Sequence, residues 1–106
     1  MKNTYIQIFT TFPRKSDAEK IAKRLINEKL AGCVQVFGPI KSFYRWKGKV
    51  NIAREWLCVV KTTAIKYKRV EKAIKKIHSY STPEIIFVPI VGGDPGYLSW
   101  LNKQLT

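Results

Sequence analysis

The chain has 106 residues, enough for one domain with a modest core and too few for two. Its composition, 45% hydrophobic and 25% charged, excludes a disordered or fibrous polymer. Lys and Arg number 20 against 7 Asp and Glu, a net charge of +13 that makes identical copies repel one another and attracts polyanions. Two cysteines, Cys33 and Cys58, are too few for a disulfide scaffold, and both sit in apolar strand-like runs that predict buried free thiols. With no run of about 18 apolar residues and no signal-like start after Met1, the sequence predicts a cytoplasmic protein without membrane contact.

Residues 4–12, TYIQIFTTF, are β-branched and aromatic and predict a first strand ending at Pro13. Ser16-Asp17-Ala18-Glu19 reads as a capping box that opens a helix, and Ala18, Ile21, Ala22, Leu25 and Ile26 draw its single apolar stripe. That helix stops near Leu30 to Gly32. CVQVF at 33–37 forms a second strand, which Gly38-Pro39 interrupts as a bulge or bend and which resumes from Ile40 to Trp46. Lys47-Gly48 is a hairpin tip, with Gly48 supplying positive φ, and the third strand runs from Val50 toward Lys61. Its centre, 56–60, is apolar at every position, so both of its faces need cover.

Thr62 or Thr63 is positioned to cap a second helix whose stripe is Tyr67, Val70, Ala73, Ile74 and Ile77. Residues 85–88 form a fourth strand whose downstream part, at Pro89, lies at an edge or becomes irregular, and residues 92–96 form a loop. A short terminal helix from Tyr97 to Leu105 presents Leu98, Leu101 and Leu105 on one side. The order βαββαβ plus a tail is that of a ferredoxin-like α+β sandwich, as a single domain over residues 1–106. Two amphipathic helices cover one face of its sheet, yet the third and fourth strands are apolar on both. A partner subunit is the economical cover for the second face.

The turn His78-Ser79-Tyr80-Ser81-Thr82-Pro83-Glu84 holds the only histidine and is stiffened by Pro83, which keeps Thr82 extended. His78 has two readings there: a cap on the last carbonyls of the second helix, or part of a site with Tyr80 and Glu84. Trp46, Trp56 and Trp100 with Tyr44, Tyr80 and Tyr97 are suited to walling a small-ligand cleft between subunits, and equally to interface packing. Lys61 is either an anion contact or a strand-end charge reaching water. Cys33 is either a soft ligand or a buried thiol, and its strand setting favours burial. The basic clusters, Lys41 to Lys49 and Lys66 to Lys76, suit a solvated surface or a polyanion contact in which Tyr44, Arg45 and Trp46 stack on single-stranded nucleic acid. No nucleic-acid-binding signature supports the latter beyond charge. No phosphate loop, nucleophile elbow or carboxylate pair with an assignable acid and base is present, so the chain does not read as an enzyme.

Thr11-Phe12-Pro13, Leu30-Ala31-Gly32-Cys33-Val34, residues 42–49 (SFYRWKGK), Lys61-Thr62, His78-Ser79-Tyr80 through Pro83-Glu84-Ile85, and Tyr97-Leu98-Ser99-Trp100 follow one another in an order that resembles the CutA divalent-cation tolerance proteins. The resemblance covers nearly the whole chain. It implies a homotrimer of ferredoxin-like subunits, similar to the trimeric PII signalling proteins, with clefts between neighbours, where Tyr44, Trp46, Lys61, Tyr80, Tyr97 and Trp100 are the candidate ligand-cleft residues. It also implies a response to copper and other divalent ions. In copper-binding relatives the site looks like a Cys at the end of the first strand with two adjacent His; Thr10, Ile77 and His78 stand in those places here. His78 and Glu84 are then the metal candidates, with Tyr80 orienting one of them. One imidazole and one carboxylate predict weak Cu²⁺ binding and no required cofactor. A polyanion-binding module and a small-metabolite signalling protein are the alternatives.

Overall fold

Strict alternation along the first strand sets the core. In the computed structural model, which describes residues 4–106, β1 (Tyr5–Phe12) turns Ile6, Ile8, Thr10 and Phe12 into full burial. Residues 1–3, with the predicted leaderless start, lie outside the described residues. β1 pairs antiparallel with β3 (Lys49–Thr63) on one side and with β4 (Ile85–Pro89) on the other. β2 (Cys33–Trp46) pairs antiparallel with β3, completing a sheet of order β2-β3-β1-β4. α1 (Lys15–Asn27) and α2 (Tyr67–Ile77) bury Ala18, Ile21, Leu25, Val70, Ala73 and Ile74 against the β1 face. This is the expected ferredoxin-like βαββαβ topology. A C-terminal helix, α3 (Pro95–Lys103), follows it.

The helix starts differ from those read in the sequence. α1 begins at Lys15 with Arg14 in the capping position, and no side chain caps it, so the Ser16–Glu19 capping box does not form. Asp17 instead lies in the first turn, where its charge favours the helix dipole and pairs with Arg14 at 3.4 Å. Thr63 makes no capping bond either; a 3-10 turn, Ala64–Lys66, precedes α2. Thr62 is spent elsewhere, its buried hydroxyl donating to the Leu30 carbonyl at 2.7 Å. The side-chain cap that does form is on α3, where Asp94 Oδ2 accepts the Tyr97 amide at 2.9 Å ahead of Pro95.

Two further expectations change. Cys33, at the start of β2, is half-buried rather than buried, while Cys58 is fully buried. The second sheet face is not left entirely to a partner, because α3 packs on β3 and buries Leu101 and Leu105. Phe37, Ile86 and Val88 remain exposed.

β2 and β3 have 14 and 15 residues, against 8 for β1 and 5 for β4, so their hairpin continues past the rest of the sheet as an arm. Its tip is a two-residue turn in which Lys47 and Gly48 both have positive φ, 51° and 76°, the geometry whose twist matches paired strands. The arm lengthens the molecule to 45 × 25 × 22 Å and its radius of gyration to 14.5 Å. A closely packed domain of this size has about 13 Å. No helix of the described residues is long and apolar enough to cross a membrane.

Replacing Thr62 with the isosteric Val leaves the Leu30 carbonyl without its donor inside the core. We expect a loss of about 1–3 kcal/mol, read as a lower urea midpoint with an unchanged slope.

Candidate functional site

The arm and the turn after α2 wall a cleft of about 720 Å³. Ser42, Phe43, Tyr44, Trp46 and Glu55 line it from the arm, Thr11 from the end of β1, and residues 79–82 with Glu84 from the turn. A one-residue register shift between Phe37 and Ile40, at Gly38-Pro39, sets the arm's facing. Beyond it Ile40 opposes Glu55 and Ser42 opposes Ala53.

His78 anchors the turn. Its backbone amide closes α2 on the Ile74 carbonyl at 3.0 Å, but its ring does not cap the helix, contrary to the simpler of the two sequence readings. Nε2 lies 2.6 Å from the Thr11 carbonyl, which can only accept, so Nε2 carries the proton. Nδ1 accepts the Tyr80 amide at 3.1 Å, fixing the neutral tautomer. The ring stacks on Phe12 at 4.4 Å and 19°, with Tyr80 at 4.9 Å. Both nitrogens are therefore engaged, tying the end of α2 to the end of β1.

This anchoring aims Tyr80. Its phenol donates to Glu55 Oε2 at 2.9 Å, and Glu55 is only 6% exposed. Burial, then the hydrogen bond and charge of Glu55, and last Tyr44 push the Tyr80 phenol up to about 12. Glu84 stands exposed at the other end of the turn.

Of the six residues expected to share a cleft, Tyr44, Trp46 and Tyr80 line this one. Lys61, Tyr97 and Trp100 form a second cluster: Lys61 Nζ lies 5.9 Å from the Tyr97 ring, which stacks on Trp100 at 5.7 Å. Positions 55 and 61 of β3 are about 20 Å apart along a strand, which separates the groups within one subunit. Trp56, half-buried, packs against the core and receives Arg54 at 5.6 Å. Sequence reasoning missed Glu55, whose one signal was an acid lodged between Arg54 and the apolar run of β3. It also missed Thr11, which the His78 bond brings to the turn, and Ser42 and Phe43, which the arm's register brings there.

Among the described residues no group of three or more His, Cys, Asp and Glu is placed to hold a metal ion. Thr10 and Ile77 offer no ligand beside His78, and Thr10 Oγ1 is buried without a hydrogen-bond partner. Cys58 is no substitute, since burial pushes its thiol up to about 12 and its Sγ faces the Ala18 carbonyl at 3.8 Å.

A four-stranded antiparallel sheet backed by two helices, with a projecting hairpin and a cleft beside it, defines a ferredoxin-like α+β protein. The family model described as CutA1 divalent ion tolerance protein matches residues 6–104, and the chain belongs to this CutA family. The divalent-cation tolerance protein CutA of Archaeoglobus fulgidus is 45% identical over 98 residues, covering 92% of this chain and 95% of its own. The solved structure described as a periplasmic CutA from that organism superimposes with a TM-score of 0.93 at 42% identity, over 96% of this chain and 99% of the other. The Thermus thermophilus structure, described as a divalent cation tolerance protein, also gives 0.93, at 36% identity over 96% and 99%.

Tyr80→Phe removes the donor that satisfies a buried carboxylate and should cost about 1–3 kcal/mol. Because folding raises the phenol from 10.0 to about 12, its contribution is complete below pH 10.0 and is lost as pH rises through about 12. The stability gap between wild type and variant should therefore close over that interval in alkaline denaturation series. Cys58 should resist a thiol reagent near pH ~8 until the chain unfolds, as its strongly raised pKa leaves almost no thiolate.

Proposed function

We propose that the chain acts as a one-domain, homotrimeric, non-catalytic cytoplasmic protein that contributes to divalent-cation tolerance by binding in the cleft at the base of the arm. The observation that carries this reading is the cleft itself. A buried carboxylate, Glu55, and an exposed one, Glu84, share it with hydroxyl groups and aromatic walls in a family named for divalent cations. Oxygen donors of this kind suit hard or borderline cations. His78 joins such a site only by giving up the Tyr80 amide at Nδ1, so binding of Cu²⁺ there is weak and competes with the turn's own structure.

Trimer formation has a separate support. On the arm, Phe43, Val50 and Ile52 are 64%, 66% and 62% exposed, and Ile86 and Val88 line the opposite edge of the sheet. Apolar surface of this extent is covered by association, which must also overcome the repulsion between chains of charge +13. Lys61, Tyr97 and Trp100 of one subunit then have a route to a neighbour's cleft that a lone chain lacks.

Sedimentation equilibrium should give three times 12.3 kDa, and a monomer at all concentrations overturns the trimer. In calorimetric titrations with Cu²⁺ and Zn²⁺, wild type should bind weakly and saturably, with binding reduced in Glu84→Gln and in His78→Ala. Equal binding by all three proteins removes the cation site from the turn.

A further inference from the structure

Glu55 presents an unbalanced charge. It is only 6% exposed, yet among the described residues no Lys, Arg or His lies within ion-pair distance of it. Tyr80 donates to Oε2, and Glu55 is one of the residues that line the cleft. The chain has 20 Lys and Arg, so the missing ion pair is not for want of cations. Arg54, the neighbour of Glu55 in β3, lies over the Trp56 ring. A buried carboxylate with a single neutral donor is costly, and a cation supplied from outside compensates it.

We propose that the cleft binds a small organic ammonium ion, with a primary amine on Glu55 Oε1 and, in a diamine, a second amine at Glu84. This deepens the cleft reading above and rests on it. The walls decide between an organic cation and a metal ion. Tyr44 and Trp46, on the same face of the arm as Glu55, present aromatic surface, which attracts an alkylammonium through its charge and its methylenes alike. A metal ion would need a third strong ligand that the described residues do not place there. The volume of about 720 Å³ falls within the range of roughly 300–1,000 Å³ typical of small-molecule sites. The exposed arm cations Lys41, Arg45, Lys47 and Lys49 oppose a bound cation, but none of them lines the cleft and salt screens them over about 8 Å. Two carboxylates in the cleft then control the local field.

The test titrates the full-length protein, in its own oligomeric state, with diamines from 1,3-diaminopropane to 1,6-diaminohexane, with butylamine, and with Cu²⁺ as the comparison. Wild type should bind a diamine saturably, with an optimum in chain length. Glu55→Gln keeps the shape and the Tyr80 contact and should weaken every amine by about 10- to 100-fold, the value of a hydrogen bond to a charged group. Glu84→Gln should bring diamines down to the affinity of butylamine. Trp46→Ala, on the exposed arm, should weaken all amines with no change in sedimentation. Failure of every amine to bind wild type, or equal binding by Glu55→Gln, overturns the proposal. If Cu²⁺ still binds in a Glu84-dependent way, the cleft reading stands and the amine is wrong; if neither binds, both fall. Oligomers destabilised by Glu55→Gln, with no amine bound by wild type, would assign the missing cation to a second copy of the chain and likewise overturn the proposal.

Discussion

The hydrogen bond from His78 Nε2 to the Thr11 carbonyl, 2.6 Å long, is the contact on which the rest of the site depends. It joins the last residues of β1 to the first residue after α2, 67 positions apart, and the stacked Phe12 ring holds the imidazole in plane. Once the ring is fixed, its second nitrogen fixes the Tyr80 amide, and the phenol has one direction to point. Glu55 is then satisfied at Oε2. A residue type usually counted as a metal ligand or proton carrier thus serves here as a bracket between two elements, with the site one residue further on.

The second constraint lies in the strands. Gly38-Pro39 adds a residue to β2, and the pairing resumes with Ile40 opposite Glu55. Such an insertion bends and twists a ladder while preserving it. It also places Ser42, Tyr44 and Trp46 on the same side as Glu55, since side chains two apart share a face. The cleft is therefore a product of two remote local features, a bulge in β2 and a histidine bracket at the end of α2, that meet only in three dimensions.

This explains what was legible in the residues. Periodicity exposed every helix and strand, because Ile6, Ile8, Val70 and Ile74 repeat at the spacing their elements require. Helix starts were less legible. Ser16 and Thr63 have the right chemistry for caps, but the path of the chain after Pro13 starts α1 one residue before Ser16, and Thr62, next to Thr63, is drawn to Leu30. The turn stood out through its lone His and its Pro. Glu55 did not, because nothing local marks an acid on β3 as the partner of a phenol 25 residues away. Lys61, Tyr97 and Trp100 were grouped with Tyr44 and Trp46 by chemistry, whereas the packing of α3 on β3 gathers them into a separate cluster.

The sheet order has one more implication. With β2 at one border and β4 at the other, both outer strands offer unpaired backbone groups to any passing chain. β4 protects itself by brevity and by Pro89, which has no amide to donate. β2 is 14 residues long and carries Lys41 and Arg45, both exposed, with Lys47 at the tip. These charges act as gatekeepers against indiscriminate strand addition, an effect that salt weakens. Part of the chain's positive charge thus has a use that involves no ligand, keeping a long open border from templating aggregates.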